Sequence, residues 1–182
     1  MGSNRTWVVT GRERHVAAAR EGFLPYPHRA IRTRDFLYVR NFALDCWPMG
    51  SPGPALEQGR APALDAVEQN TFVAFADMDA SPTKRWLIAH RDEERWRWHW
   101  ECAFGLRPAE ELYDLRRDAD QVRHVADAPA YAEVRKELAD RLMAVLREAE
   151  APRVIGDGTA FDRPQFAGFP EPADRVTAKP KS

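Results

Sequence analysis

The chain has 182 residues, a length that fits one domain, or one domain and a tail. Hydrophobic residues make up 44% and aromatic residues 10%, which supplies a folded core and excludes disorder throughout. The 27 Lys and Arg nearly balance the 28 Asp and Glu, so the net charge of −1 excludes the overall basic field of a nucleic-acid binder. No apolar run approaches the roughly 20 residues that span a bilayer, and no apolar segment of a secretory signal follows Arg5. We therefore expect neither nucleic acid nor membrane as a partner.

The first third of the chain predicts strands. The β-rich run Thr6–Thr10 is typical of a strand, and Gly11 begins a polar loop. Two further β-rich segments, about 29–33 and 36–42, flank a tight turn at Arg34-Asp35. Together they predict a β-hairpin.

The middle of the chain predicts a loop followed by helical structure. Residues 48–62 hold four Pro and three Gly, which indicates a surface loop. A helix begins at Ser81-Pro82, where serine is a favoured N-cap and proline suits the first helical position. A helical stripe with i, i+4, i+8 spacing follows, formed by Trp96, Trp100 and Phe104, and it ends at Gly105.

The last third predicts one strand and one long helix. Glu110–Leu115 has the composition of a strand, and a helix runs from about 129 to 148, with Asp127 where a cap is expected. One apolar stripe follows this helix, formed by Tyr131, Val134, Leu138, Leu142 and Val145. We expect a folded unit over 1–150 and a Pro- and Gly-rich tail over 151–182, which wraps a surface or is disordered.

These elements define the expected fold class. Strands and helices alternate without the spacing of a βαβ unit, so the chain is expected to be α+β. A small antiparallel sheet of three to four strands, packed by the long C-terminal helix, fits this order best.

Most motifs of catalysis and metal binding are missing from the sequence. There is no phosphate-binding glycine loop, no His-Glu-x-x-His and no Gly-x-Ser-x-Gly. His99-x-x-Cys102 places two metal-capable side chains one helical turn apart, with His90 upstream, but further ligands are not evident. Cys46 and Cys102 permit one disulfide at most. We expect no catalytic residue and no metal ligand in this chain.

Two clusters of functional residue types favour structural roles. Trp96-Arg-Trp-His-Trp100 interleaves aromatic and basic side chains of the kind that stack on bases or sugar rings, yet a packed helix face with one partly exposed Trp is favoured. Glu110 and Glu111 are adjacent in a predicted strand, so they point to opposite faces and cannot form a carboxylate dyad.

The loop after the first predicted strand combines several chemical groups. Gly11-Arg-Glu-Arg-His15 packs two guanidinium groups, a carboxylate and an imidazole into four consecutive residues. Such a loop can bind an anionic or polyol ligand through charge-assisted hydrogen bonds. On the residues alone, a solvated polar loop remains the favoured interpretation.

Several motifs occur in an order that resembles a known family. They are Gly11-Arg-Glu-Arg-His15, Tyr26-Pro27, the segment from Arg29 to Asn41, Trp47-Pro-Met-Gly50, the segment from Phe104 to Leu115 with Asp118-x-Asp-Gln, and Pro152-Arg-Val-Ile-Gly-Asp-Gly158. This order, over about residues 5–166, resembles the C-terminal region of sulfatases, closest to the heparan N-sulfatase (sulfamidase) and arylsulfatase-like branch. The sequence departs from the family at Asp118-Ala119, where members commonly have Asp-Pro, and at Arg123-His124.

The resemblance implies a fold, and it also implies that catalysis takes place in another domain. Sulfatases have the alkaline-phosphatase-like α/β fold, with a smaller C-terminal subdomain made of an antiparallel sheet and one long helix. Their nucleophile is a formylglycine made from the Cys of a Cys-x-Pro/Ala-Ser-Arg motif, beside calcium. Neither Cys46 nor Cys102 lies in that motif. The resemblance therefore places calcium and formylglycine in a missing catalytic domain, the expected partner, and implies that this chain alone is inactive.

The resemblance also implies a substrate and a site. A His-bearing loop after a strand faces the substrate in the sulfamidase-like branch, and His15 occupies the matching place, with Arg12 and Arg14 beside it. The expected substrates are sulfate esters or N-sulfamates of sulfated sugars, and the parent enzyme is expected to be periplasmic or secreted. The alternatives are a free-standing, non-catalytic sugar-binding or protein-interaction module, and a relic without function. An in-frame Cys-x-Pro/Ala-Ser-Arg segment upstream of Met1 would favour the sulfatase.

Overall fold

A computed structural model describes residues 5–162 of the chain. The strands are β1 (Val8–Arg12), β2 (His28–Arg32), β3 (Phe36–Asn41) and β4 (Glu110–Asp114). The α-helices are α1 (Pro54–Glu57), α2 (Leu64–Gln69), α3 (Pro82–Ala89), α4 (Glu94–Phe104) and α5 (Ala132–Glu148). Short 3-10 helices span Ala17–Ala19, Glu21–Phe23, Thr71–Val73 and Pro129–Tyr131. None of the helices within 5–162 is long and apolar enough to cross a membrane.

The four strands form one antiparallel sheet in the order β1-β2-β3-β4. The predicted hairpin is confirmed as β2 and β3, and the predicted strand near residue 110 is confirmed as β4. The register aligns Val9, Ile31, Tyr38 and Leu112 in one row across the sheet. The chain is therefore an α+β protein, as its element order predicts.

The first strand extends further than its sequence predicts. Gly11 does not begin a loop, because it pairs with Arg29 and the strand continues to Arg12. A Cβ atom at Gly11 would lie 2.5 Å from Cδ of Arg29 and 2.9 Å from the carbonyl oxygen of His28. This glycine therefore allows a neighbouring side chain to cross the strand.

Helix α5 covers one face of the sheet and forms the first of two hydrophobic clusters. The buried members of this cluster are Ile31, Tyr38, Leu112, Ala126, Leu138, Leu142 and Leu146. The predicted apolar stripe is confirmed in its centre, but its last buried residue is Leu146, whereas Val145 is only half-buried. Burying each leucine side chain contributes about 1.5–3 kcal/mol, so α5 anchors the sheet.

The start of α5 differs from the prediction. The N-cap residue is Tyr131, and its side chain makes no capping hydrogen bond. Asp127 is not the cap, because the 3-10 turn Pro129–Tyr131 lies between it and the helix. The proline favours that tight turn because it has no N–H to lose.

Helices α2, α3 and α4 enclose the second hydrophobic cluster. Its buried members are Val67, Ala74, Phe75, Ile88 and Phe104. The predicted N-cap of α3 is confirmed, since Oγ of Ser81 accepts a hydrogen bond from the Lys84 N–H at 3.2 Å. The predicted end of α4 is also confirmed, with Gly105 as its C-cap.

The segment 48–62 is only in part the surface loop that its prolines and glycines predict. Pro48, Gly50, Pro52 and Pro62 are buried, and α1 occupies its middle. Gly50 has φ +100°, and a Cβ atom there would lie 2.9 Å from the Ala76 nitrogen. Backbone hydrogen bonds join the segment to Ala19 and Phe75 through Ser51, at 2.8 Å each, so its backbone packs closely.

Candidate functional site

The loop that follows β1 is held by a buried carboxylate. Oε1 of Glu13 accepts a hydrogen bond from Nη2 of Arg29 at 2.5 Å, and Oε2 accepts one from Nη2 of Arg153 at 2.5 Å. All three side chains are at least four-fifths buried. Glu13 is therefore neutralised by two guanidinium groups and serves to fix the loop rather than to meet a ligand. Arg153 belongs to the predicted tail, whose part beyond residue 162 lies outside the described residues.

Arg14 lies on the inner side of the same loop. Its Nε donates a hydrogen bond to the carbonyl oxygen of Phe23 at 2.8 Å. Burial lowers the pKa of Arg14 from its ordinary value, against the opposing effect of Glu13. The guanidinium keeps its charge, since even a lowered arginine pKa stays far above neutral pH.

His15 is the exposed residue of the loop. Its side chain is 61% exposed, and Nδ1 lies 3.8 Å from Oδ1 of Asp77, whose own side chain is only 1% exposed. The imidazole therefore faces solvent on one side and a buried carboxylate on the other.

Asp77 and Arg20 form a buried ion pair behind His15. Nη2 of Arg20 donates to Oδ2 of Asp77 at 2.8 Å, and the backbone N–H of Val16 donates to Oδ1 at 2.7 Å. Arg20 also donates to the carbonyl oxygens of Trp47 at 3.0 Å and Pro48 at 2.7 Å. Removing one partner of such a pair costs about 3–5 kcal/mol, so the pair locks the loop onto the segment around Pro48.

Arg12 reaches the same segment from the end of β1. Its Nη2 lies 3.5 Å from the carbonyl oxygen of Pro48, which also accepts from Arg20. Arg12 lines an open cleft of about 340 Å³ beside β1, which is lined by Val9 to Glu13, Arg29 and Leu146. The basic residue at the end of β1 is thus accessible from solvent.

Two titratable groups near this loop, His28 and Tyr26, are uncharged at neutral pH. His28 pairs with Arg12 across the β1-β2 ladder, and burial, together with Arg12 and Arg29, lowers the pKa of His28. Burial and the nearby Glu111 raise the pKa of Tyr26 to about 12. An anion beside Arg12 would therefore meet neutral polar groups and no competing negative charge from these two side chains.

The three residues that the sequence predicts as substrate-binding thus take different positions. Arg12 and His15 are joined through one connected set of contacts that runs through Pro48, Arg20 and Asp77. Arg14 points instead to the Phe23 carbonyl. Arg20 and Asp77 also fix the site, and no sequence motif predicted either residue.

The residues that precede Arg20 and Asp77 in the sequence are the pattern from which their burial could have been predicted. Arg20 follows Ala17-Ala-Ala19, and Asp77 follows Ala74-Phe-Ala76. A charged residue after a small apolar run is a candidate for a buried ion pair, because buried charges require partners. The run alone does not reveal which partner it has.

The adjacent carboxylates Glu110 and Glu111 and the Trp-rich segment 96–100 have the structural roles that their spacing predicts. Glu110 accepts a hydrogen bond from the Tyr38 hydroxyl at 2.6 Å, whereas Glu111 accepts one from Nδ2 of Asn41 at 2.8 Å, on the other face of the sheet. They form no dyad. Trp98 is 49% exposed, while Trp100 packs against the second cluster, as a helix with one exposed Trp predicts.

The two thiols show no sign of activation. Cys46 and Cys102 are both unpaired, and burial raises the pKa of each. A raised pKa reduces the fraction of thiolate, which is the nucleophilic form. Within residues 5–162, no three or more His, Cys, Asp or Glu side chains are grouped to hold a metal ion.

Comparison with known proteins adds no relative to this description. A scan against protein-family models gives no match for the sequence, and a search of curated proteins finds none either.

Proposed function

We propose that this chain is the C-terminal subdomain of a sulfatase that acts on sulfate esters or N-sulfamates of sugars. In this proposal it contributes substrate-pocket residues to a catalytic domain that carries formylglycine and calcium. The proposal is supported by the order of the sulfatase-like motifs over about residues 5–166. It is also compatible with the architecture, a four-stranded antiparallel sheet covered by the long helix α5.

The observation that supports the proposal is that the exposed side chain of His15 lies on a loop held in place by buried contacts. Its imidazole is 61% exposed, yet the loop beneath it is fixed by the buried pair of Arg20 and Asp77 and by Glu13. A binding side chain works best when its support is rigid, because little order is then lost on binding.

The chemistry of the loop suits an anionic sugar. In the proposed enzyme a formylglycine of the catalytic domain would supply the nucleophile for cleavage at sulfur. Arg12 supplies a fixed positive charge that can bind a sulfate or sulfamate through two parallel hydrogen bonds. His15 can form a hydrogen bond with a sugar hydroxyl beside that anion. Arg14 adds positive charge from inside the loop.

The test requires the enzyme assembled with its catalytic domain, located by an in-frame Cys-x-Pro/Ala-Ser-Arg segment. We expect His15→Ala to lower kcat/KM for a sulfated disaccharide by at least about tenfold, equivalent to about 1.4 kcal/mol. The free energy of unfolding should change by no more than about 0.5 kcal/mol, because His15 is exposed.

The matched control is His124→Ala, which removes another exposed imidazole far along the chain. Kinetics that are unchanged in the His15 variant would contradict the assignment of the site. If no catalytic domain exists and the isolated chain still binds the disaccharide, the free-standing sugar-binding module becomes the better interpretation.

A further inference from the structure

The geometry around His15 determines where its ring carries a proton. A neutral imidazole has one N–H and one lone pair, and the partner of one nitrogen selects the state of the other. Nδ1 of His15 lies 3.8 Å from Oδ1 of Asp77. A lone pair on Nδ1 would face a negative oxygen, whereas an N–H there is attracted to it.

Asp77 cannot turn away from His15. Its Oδ2 is held by Arg20 at 2.8 Å and its Oδ1 by the Val16 N–H at 2.7 Å. A carboxylate oxygen has two lone-pair sites, so Oδ1 can act on Nδ1 of His15 as well as on Val16. Because the carboxylate is 1% exposed, little water screens this attraction.

We infer that Asp77 is a positioning residue for His15, which keeps the proton of the neutral ring on Nδ1 and directs the Nε2 lone pair to solvent. Arg20 already compensates the charge of Asp77, so the imidazole need not become a cation to satisfy it. In the neutral ring the outward group, Nε2, is then a hydrogen-bond acceptor.

With this tautomer, His15 and Arg12 bind different groups of the ligand, a consequence that rests on the proposed function. Nε2 of His15 accepts a hydrogen bond from a sugar hydroxyl, and Arg12 binds the anionic group. The preferred ligand is therefore a sugar in which a free hydroxyl lies near the sulfate or sulfamate. An anion without a hydroxyl would use Arg12 alone.

The tautomer can be measured on the chain without any substrate, by long-range proton–nitrogen NMR of the His15 ring near neutral pH. We expect the Nδ1–H form to exceed the Nε2–H form by at least about threefold, an effect of the size of one weak hydrogen bond. His124, an exposed histidine in the same molecule, gives the ratio of an unconstrained ring. A wild-type His15 with the Nε2–H form in excess overturns the inference.

The variant Asp77→Asn tests the cause. An amide has one oxygen where the carboxylate has two, so it cannot accept from Arg20 and from the donors at Val16 and His15 together. We expect the His15 ratio to move to that of His124. Asp79→Asn, the same change at an exposed residue two positions along, should leave the ratio unaltered.

Each outcome decides the inference. An Asp77→Asn variant that folds, with dispersed amide spectra, and keeps the Nδ1–H form excludes Asp77 as the cause. If that variant does not fold, the comparison of His15 with His124 in the wild-type chain decides alone. The kinetic test of His15→Ala is separate: its failure would remove the proposed function and leave the tautomer as measured.

Discussion

Lys84 is a buried cation whose ammonium group donates to three backbone carbonyls. Its Nζ donates to the carbonyl oxygens of Thr71 at 3.0 Å, Phe75 at 3.2 Å and Met78 at 2.8 Å. The side chain is fully buried, and burial lowers its pKa. The three carbonyls belong to the segment that carries Asp77, so Lys84 shapes the support of the candidate site from a distance.

We expect Lys84→Met to lower the free energy of unfolding by about 3 kcal/mol, because three buried carbonyls lose a charged donor. Urea denaturation measures the change. Lys136→Met is the matched control, since Lys136 pairs with Asp140 on an exposed helix face and such pairs contribute at most about 1 kcal/mol. An equal midpoint for Lys84→Met and the wild type would show that the ammonium contributes nothing to stability.

The residues of the site differ in how far the sequence reveals them. The loop with Arg12 and His15 is evident from four consecutive polar residues after a strand. Arg20 and Asp77 are 57 positions apart, so no local spacing relates them. Local patterns report only groups that the chain brings together over a few residues, and a buried pair between distant segments depends on the packing of the whole fold.

At the scale of elements, Asp114 joins the end of β4 to the start of α5. Its carboxylate accepts two hydrogen bonds from the guanidinium of Arg116, both at 2.8 Å, one from the Arg116 backbone N–H at 3.2 Å and one from the Tyr131 hydroxyl at 3.1 Å. The hydrogen bonds from Arg116, more than any other cause, hold the pKa of Asp114 well below its usual range. Arg116 in turn lies over the ring of Phe36, at the start of β3.

This low pKa predicts a loss of stability in acid. The unfolded carboxyl takes up a proton near its ordinary pKa of about 3.9, whereas the folded one resists protonation. The stabilisation by Asp114 is therefore complete above about pH 5 and decreases as the pH falls through the unfolded pKa toward the lower folded one. We expect Asp114→Asn to show a smaller decrease in melting temperature between pH 6 and pH 3 than the wild type.

The control for this series is Asp120→Asn, a change at an exposed carboxylate of the following turn. It should keep the wild-type slope of melting temperature against pH. A wild-type slope in the Asp114 variant would mean that other carboxylates cause the acid sensitivity.

The elements themselves are the most predictable part of the fold. The hairpin β2-β3 and the helix α5 follow from alternation, turn residues and one apolar stripe, which are local properties. The end of β1 at Arg12 was missed because glycine usually ends a strand, whereas Gly11 is required here by the side chain of Arg29. The burial of Pro48 was missed because proline content indicates a loop but not what covers it.

For the whole molecule, the face of the sheet away from α5 is only partly covered. Val8 and Thr10 of β1 and Arg32 of β2 lie on that face and are exposed, with Val8 at 52%. β1 is also an edge strand, with unpaired backbone groups on one side. In the proposed enzyme the exposed Val8 and this strand edge are where a catalytic domain would make contact.

We expect the isolated chain to bind a hydrophobic dye or to aggregate at modest concentration, and Val8→Lys to reduce both. Addition of the catalytic domain should have the same effect as the substitution. Light scattering and dye fluorescence measure these changes. A cooperative, monomeric melt without dye binding would favour the free-standing module.

The isolated chain should also have no sulfatase activity. Hydrolysis of a sulfate ester needs an activated nucleophile and charge stabilisation, and both thiols of this chain have raised pKa values. Purified chain should not release product from a chromogenic aryl sulfate. Turnover that is abolished by Cys46→Ala or Cys102→Ala would contradict this expectation and place the nucleophile in this chain.

The buried pair of Arg20 and Asp77 has a consequence for the order of folding. Its contacts join residues that are far apart in the sequence. Arg20 lies 28 positions from Pro48 and 57 positions from Asp77, and Val16 lies 61 positions from Asp77. Long closures cost more chain entropy than the hairpin β2-β3, whose strands are joined by a three-residue turn. The hairpin is thus expected to form early during folding, and the buried pair that supports His15 is expected to form late. During refolding, native backbone structure would precede the ability to bind a ligand, and the last step to complete would be the assembly of the candidate site.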